Sequence, residues 1–176
     1  MPSIDFHLNT RCVLRFSRVC LAVWLLAISY RVAAHDALLP LLITRSDDVT
    51  VLYTVELAAS PAARTQGLMG RKTLRPQHGM LFDFGEEVDA KMWMKNTHIP
   101  LDMLFVDRCG NVVSITARTT PLSTTLIGAK RPVRYVLELN AGSTELRAIQ
   151  AGDKLSYLGE PASGRAFLRQ AGCPGT

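Results

Sequence analysis

Short apolar segments, separated by turn-forming residues, recur along most of this chain. Several are rich in the β-branched residues that strands favour, and we expect strands at 38–44, 49–57, 80–84, 90–94, 101–107, 112–117, 135–140 and 154–158. The sequence shows no internal repeat and no heptad pattern. The pattern therefore predicts a mainly-β fold, a compact sandwich or barrel with one or two short helices.

Turn-forming residues indicate how several of these strands connect. Residues 45–48 (Arg-Ser-Asp-Asp) predict a turn that pairs the first two strands as a hairpin. A second hairpin loop is expected at 107–111, where Gly110 or Asn111 can take the positive φ that such loops require. Residues 119–132 contain two prolines and many small polar side chains, which predict a long loop.

Two short helices are expected. Ser60 can accept a hydrogen bond from the first helical turn, and Pro61 suits the first helical position because its missing N–H has no partner there. Gly67 then limits this helix to about two turns. The second helix is predicted at 143–150, capped by Ser143 and ended by Gly152.

The first 34 residues have the three parts of a secretory signal peptide. A basic segment precedes an uninterrupted run of ten apolar residues at 19–28, and Val32 and Ala34 occupy the small-residue positions before a cleavage point. Since a membrane-spanning helix needs roughly 20 apolar residues, we expect cleavage after Ala34 and no transmembrane span afterwards. We then expect export to the periplasm or exterior of a bacterium. A single β-rich domain is expected at 35–158, followed by a flexible C-terminal tail at 159–176.

Charge and cysteine content change when the signal is removed. The whole chain carries +5, but residues 1–34 hold four basic and one acidic side chain, so the remainder carries only +2. A nucleic-acid partner, which would use a basic patch, is therefore not expected. Cys109 and Cys173 remain as an even pair in an oxidising compartment, where they could pair or stay separate.

Several ordered motifs resemble the domain of unknown function 192 family over residues 51–158. They are 67–71 (GLMGR), 79–84 (GMLFDF), 93–97 (WMKNT) with 99–102 (IPLD), 135–142 (YVLELNAG) and 152–153 (GD). The resemblance implies a compact, mostly β domain of jelly-roll or sandwich type, often exported or membrane-tethered. It implies no established activity, cofactor or catalytic residue. Many members have a cysteine in the loop before the YVLE motif, and 119–132 has none, so a thiol activity of that loop would be absent here.

Two acids fall on strand faces that are otherwise largely apolar. Alternation along a strand groups Asp102 with Leu104 and Val106, and it groups Glu138 with Val136. An unpaired buried acid costs several kcal/mol, so each is expected to find a cationic or amide partner. The available partners include Arg71, Lys95, Arg134 and Asn96.

These groups define a candidate ligand-binding cleft made of Arg71, Lys95, Asn96, Asp102 and Glu138. Such a cleft would suit a small polar ligand, for example a sugar or an anionic envelope component. The same five residues could instead form a buried network that fixes loop geometry. A third alternative is a hydrolase of an envelope glycan, with Asp102 and Glu138 as acid and base roughly 5–9.5 Å apart.

A copper module is a further alternative. Five of the six methionines lie between Met69 and Met103, and thioether and imidazole ligands suit Cu(I) in an exported protein. The candidate ligands are Met92, His98, Met103 and His78. The competing interpretation is that most of these methionines fill the core.

Motifs of known catalytic machinery are missing from the sequence. It contains no Gly-x-Ser-x-Gly, Ser-x-x-Lys, His-Glu-x-x-His or Cys-x-x-Cys motif, and no glycine-rich phosphate loop. The sequence therefore favours a non-enzymatic domain that binds a small polar ligand or an envelope partner, without a resident cofactor.

Overall fold

The structure, a computed structural model, describes residues 38–157 and Cys173. The predicted signal peptide at 1–34 and the predicted tail at 159–176 lie outside the described residues, apart from Cys173. Within the described residues no helix is long and apolar enough to cross a membrane.

Nine strands and two short helices make up the described part of the chain. The strands are β1 (Leu38–Thr44), β2 (Thr50–Ala58), β3 (His78–Val88), β4 (Lys91–Met92), β5 (Leu101–Val106), β6 (Val112–Thr116), β7 (Ile127–Gly128), β8 (Val133–Asn140) and β9 (Lys154–Tyr157). The helices are α1 (Pro61–Gln66) and α2 (Ser143–Leu146). The fold is mainly β, as the sequence predicts.

Seven strands form one curled sheet, a half-barrel, in the order β6-β5-β8-β3-β2-β1-β9. Adjacent strands in this sheet run antiparallel, except β2 and β3, which are parallel. A parallel pair cannot be joined by a tight turn, so the chain crosses over between them and forms α1 on the way. The short strands β4 and β7 form a separate two-stranded ribbon.

The two edges of the half-barrel approach each other beside the β5–β6 turn. The Leu155 N–H donates to the Gly110 carbonyl at 2.7 Å, and the Val112 N–H donates to the Asp153 carbonyl at 2.8 Å. Gly110 has φ 86°, and a Cβ there would lie 2.5 Å from the Leu155 carbonyl oxygen. Glycine is therefore required at this point for both the turn and the contact between edges.

Alternating side chains divide the apolar residues into two cores, one on each face of the sheet. The inner core, within the curl, contains Leu41, Ile43, Tyr53, Val55, Leu81, Leu104, Val106, Tyr135, Leu137, Leu139 and Leu155 among others. The outer core contains Leu68, Met80, Phe82, Met92, Met94, Leu101, Met103, Phe105, Val133 and Val136 among others. Residues of the loops and the β4–β7 ribbon thus complete the outer core.

Several local predictions are confirmed. β1 and β2 form the expected hairpin, with Thr44 opposite Thr50 at its end. The Ser60 hydroxyl accepts a hydrogen bond from the Ala63 N–H at 3.1 Å, with Pro61 at the start of α1. The sequence left the state of the two cysteines open; Cys109, in the β5–β6 turn, forms a disulfide with Cys173 across 64 positions of sequence.

Four element predictions are wrong in extent. The strand expected at 80–84 is the longer β3, His78–Val88. The strand expected at 90–94 is only Lys91–Met92, and the loop expected at 119–132 contributes Ile127–Gly128 as its partner strand. The helix expected at 143–150 is only Ser143–Leu146. Ser143 does not cap it: the N-cap is Gly142, which has no side chain, and a distant carboxyl takes over that function.

Candidate ligand-binding site

A cavity of about 330 Å³ lies beside the outer core, between the sheet, α1 and β4. Its walls combine apolar and aromatic side chains with a few polar ones. The lining residues are Pro61, Arg64, Thr65, Gln66, Gly67, Leu68, Met69, Phe82, Phe84, Lys91, Met92, Trp93, Thr97 and Glu138. A cavity of this size is at the small end of ligand pockets in proteins.

Four separate sequence motifs converge on this cavity. Segment 67–71 supplies Gly67, Leu68 and Met69, and segment 79–84 supplies two phenylalanines. Segment 93–97 contributes an aromatic ring and a threonine, and segment 135–142 contributes a single carboxyl group. Because these segments are far apart in the chain, only the fold brings them together around one space.

Glu138 is the carboxyl group in this wall. It lies directly across from Met80 on β3 and from Met103 on β5, so one acid stands between two methionines on one face of the sheet. Its side chain forms no hydrogen bond or ion pair with any other residue that the structure describes, and it is 4% exposed. Burial alone raises the pKa of Glu138 from 4.5 to about 8.

The cations near the cavity are directed to other acceptors. The Arg64 guanidinium donates to the Ala59 and Asp83 carbonyls at 2.5 and 2.9 Å and lies 5.4 Å from the centre of the Phe84 ring. Lys91 Nζ donates to Asp89 Oδ1 at 2.8 Å. Among the described residues no charged group contributes to the raised pKa of Glu138, whose cause is burial.

Gly67 keeps one wall of the cavity open. It follows α1 with φ 46°, and a Cβ there would lie 3.1 Å from the Phe82 ring. A larger residue would thus press against an aromatic wall while holding an unfavourable backbone conformation. The glycine that ends α1 is also a constraint on the shape of the site.

Asp102, the second acid of the predicted cleft, points away from Glu138. It lies across from Leu139, so it projects from the opposite face of the sheet. Its carboxyl accepts four hydrogen bonds: from the N–H groups of Arg118, Gly142 and Thr144 at 2.9, 3.1 and 2.9 Å, and from the Thr144 hydroxyl at 2.7 Å. Asp102 is fully buried and holds backbone segments together.

The other three predicted site residues lie apart from Glu138 as well. Arg71 forms a two-pronged ion pair with Glu56 and lines a neighbouring cavity of about 150 Å³. Lys95 Nζ lies 5.2 Å from the centre of the Trp93 ring, outside the cavity lining. Asn96 has φ 55°, and its carbonyl accepts the Gly70 N–H at 2.8 Å. Of the five, only Glu138 faces the larger cavity.

The four candidate copper ligands have different surroundings in the structure. Met92 and Met103 are buried in the outer core, His98 is exposed, and His78 starts β3 opposite Thr54. Among the described residues no group of three or more His, Cys, Asp or Glu side chains is arranged to hold a metal ion. A methionine-based copper site stays a prediction.

The aromatic walls of the cavity were not among the predicted site residues. Phe82, Phe84 and Trp93 resemble ordinary strand residues in the sequence, although each lies within a recognised motif. Their positions within the family motifs are therefore the signal in the sequence that could have marked these residues as part of a site. Hydrophobic patterning alone assigns them to a core.

The described residues thus form a small β half-barrel protein with a cavity on the outer face of its sheet. The family model DUF192, described as "Uncharacterized ACR", matches residues 42–157. The chain belongs to the domain of unknown function 192 family, as its motifs indicated.

Two solved structures share this fold. One is a Sinorhizobium meliloti 1021 protein named as a candidate transcription regulator, with 44% identity, a TM-score of 0.68, and coverage of 69% of this chain and 95% of that one. The other is a protein of unknown function from Novosphingobium aromaticivorans DSM 12444, with 33% identity, a TM-score of 0.67, and coverage of 71% and 89%. A comparison with curated proteins gave no match.

Proposed function

We propose that this is an exported protein that binds a small ligand in the cavity containing Glu138. The observation that carries the proposal is an acid 4% exposed, without a partner among the described residues, in the wall of a cavity of about 330 Å³. Folded proteins normally pair a buried acid, because an unpaired one costs several kcal/mol. Keeping such a group beside an open space is understandable if a ligand supplies the missing partner.

The walls suit a ligand that is partly apolar. Phe82, Phe84 and Trp93 offer ring faces, and Met69 and Met92 offer adaptable, polarisable surface. Ligand pockets commonly combine such walls with a few polar groups that fix orientation. Binding, rather than catalysis, is the function supported best, because Asp102 and Glu138 face opposite sides of the sheet and do not form an acid–base pair.

Export is supported by two features of the chain. Residues 1–34 have the composition of a secretory signal, and Cys109 is disulfide-bonded to Cys173. Disulfides persist in oxidising compartments and are rare in the cytosol. We place the binding domain in the bacterial periplasm or outside the cell.

The name of the S. meliloti protein raises transcription regulation as a second class of function. Nucleic-acid binding uses a face of unpaired cations. Residues 38–157 hold fourteen Lys and Arg against twelve Asp and Glu, so the described cations are nearly balanced by acids. Six of the cations are ion-paired with these acids, namely Arg45, Arg71, Lys91, Arg118, Arg131 and Arg134. This charge arrangement favours the small-ligand function.

Benzyl alcohol is a suitable first probe, since it has one ring and one hydroxyl and fits the cavity. We expect it to bind the purified protein with a Kd of about 1 mM, corresponding to about −4 kcal/mol. Amide NMR shifts should concentrate at Gly67, Met92 and Thr97, which line the cavity.

A blocked cavity provides the control for this binding. Met69→Trp should fill the space and abolish the shifts, whereas Leu38→Trp, at an exposed position on β1 outside the lining, should leave them intact. Binding that survives in the folded Met69→Trp protein, or shifts scattered over other surfaces, would reject the cavity as the ligand site.

A further inference from the structure

We propose that the group recognised in this cavity is a small organic ammonium ion, with Glu138 as its counter-ion. The inference rests on the proposed function, because it names the ligand class of the same cavity. It follows from three features: a carboxyl without a counter-ion, walls rich in aromatic rings, and cations that are held by other acceptors.

The first feature is the missing counter-ion. Glu138 stands between Met80 and Met103, and neither thioether can donate a hydrogen bond to a carboxylate. No described cation or N–H group fills this role. An alkylammonium group brings both the charge and the N–H donors that a buried carboxylate requires.

The second feature is the affinity of the wall for cations. Aromatic ring faces attract organic cations, and three rings among the described residues already hold a cation, two of them in the cavity wall. Arg64 lies 5.4 Å from the centre of the Phe84 ring, and Lys95 Nζ lies 5.2 Å from that of Trp93. Both rings line the cavity, and Phe82 adds a third aromatic side chain.

The third feature concerns the competing cations. Arg64 and Lys91 line the cavity and would oppose a second positive charge if they pointed into it. Arg64 donates to two backbone carbonyls, and Lys91 is paired with Asp89. These interactions draw their charges toward other acceptors, which leaves Glu138 as the acid that faces the space.

Binding of an ammonium ion should be coupled to release of a proton. Free Glu138, with a pKa of about 8, is mostly protonated at neutral pH and has to ionise to form the ion pair. The charged groups around the cavity are Glu138 on β8, Arg64 on α1 and Lys91 on β4, with Lys95 next to Trp93. Only Glu138 among them has a raised pKa caused by burial.

Three probes of one size separate the possibilities: benzylammonium, benzyl alcohol and benzoate. Calorimetry on the purified protein should show benzylammonium affinity rising about tenfold per pH unit up to about pH 8 and then levelling, with up to one proton released per ligand at lower pH. Benzyl alcohol, which is uncharged, should bind with little dependence on pH.

Glu138→Gln keeps the shape of the side chain but cannot ionise. It should weaken benzylammonium binding at least tenfold at about pH 8 and remove the proton release, while benzyl alcohol still binds and shows that the cavity is folded. Glu145→Gln makes the same chemical change at an exposed acid and should have no effect.

Each result bears on one proposal or both. If benzoate or benzyl alcohol binds as tightly as benzylammonium at about pH 8, or if Glu138→Gln keeps full benzylammonium affinity, the cavity is a ligand site but ammonium recognition is wrong. If none of the three probes binds, the proposed function and the ammonium inference both fail.

Discussion

Two acids on apolar strands have opposite surroundings in this protein. Asp102 and Glu138 lie in neighbouring strands, and both are almost completely buried. Asp102 accepts three backbone N–H groups and a hydroxyl, whereas Glu138 lies opposite two methionines in the sheet and lines a cavity. Two acids on similar strands thus differ: Asp102 holds backbone segments together, whereas Glu138 lies without a partner among the described residues in the wall of a cavity.

Glu138 should make the free energy of unfolding depend on pH. Its folded pKa of about 8 exceeds the ordinary 4.5, so between these values the folded state keeps a proton that the unfolded state has lost. Stability from this residue therefore falls as pH rises, by up to roughly 1.4 kcal/mol per unit, and levels above about pH 8. Urea unfolding of wild type and Glu138→Gln from about pH 5 to 9 should show the variant gaining relative stability with pH.

The exposed acid Glu145 again supplies the comparison. Glu145→Gln and wild type should give nearly parallel profiles across the same pH range, because exposed ion pairs contribute little. Parallel profiles for wild type and Glu138→Gln would show that the buried carboxyl does not titrate as inferred.

At the scale of elements, α2 depends on a residue far from it in sequence. Four residues are too few for a helix to be stable alone. Its N-cap, Gly142, has no side chain, and Asp102 accepts the N–H groups of both Gly142 and Thr144. The same carboxyl holds the Arg118 N–H, so one side chain on β5 fixes the start of α2 and the segment after β6.

Asp102→Asn should therefore be strongly destabilising. An amide oxygen accepts fewer hydrogen bonds than a carboxylate, so buried donors are left unsatisfied at a cost of about 2–4 kcal/mol. Urea unfolding measures this loss, and amide hydrogen exchange should speed up most in α2 and near Arg118.

A graded pair of variants tests whether the lost hydrogen bonds are the cause. Thr144→Val removes a single donor and should cost about 1–2 kcal/mol, while the exposed Glu145→Gln should cost under about 0.5 kcal/mol. Equal losses in Asp102→Asn and Glu145→Gln would contradict this account.

At the scale of the whole molecule, the half-barrel is held together where its edges meet. Backbone hydrogen bonds join Gly110 to Leu155 and Val112 to Asp153 beside the β5–β6 turn. Cys109 lies in that turn and is bonded to Cys173. The disulfide restricts 64 positions of chain in the unfolded state, which stabilises the folded state by comparison.

Replacing both cysteines by serine should lower the free energy of unfolding by about 4 kcal/mol, the value expected for a loop of this length. Urea unfolding of the oxidised protein and of Cys109→Ser/Cys173→Ser measures the difference. Reduced wild type is the matched control and should resemble the double variant. An unfolding midpoint that is the same in all three would show that the bond does not constrain the chain.

Local patterning was sufficient to predict most of the architecture. Strand alternation, the Ser60–Pro61 helix start and the Gly110 turn depend on neighbouring residues, and each appears where the sequence indicates it. The sequence overestimates the Lys91–Met92 strand because alternating burial continues to Met94, whereas the ladder with β7 ends at Met92. The alternation of buried and exposed residues does not by itself show where the hydrogen-bonded ladder of a strand ends.

Sequence by itself determined the mainly-β fold, the family and the motif segments that line the cavity. Only the tertiary structure decided which acid faces a cavity, because Asp102 meets its partners 16 to 42 positions away, and no local pattern reports such contacts. The cavity is likewise a product of the fold, since its walls come from four segments brought together by the sheet and α1. Alternation specifies which face a side chain takes, but packing determines whether that face meets a backbone, a core or an open space.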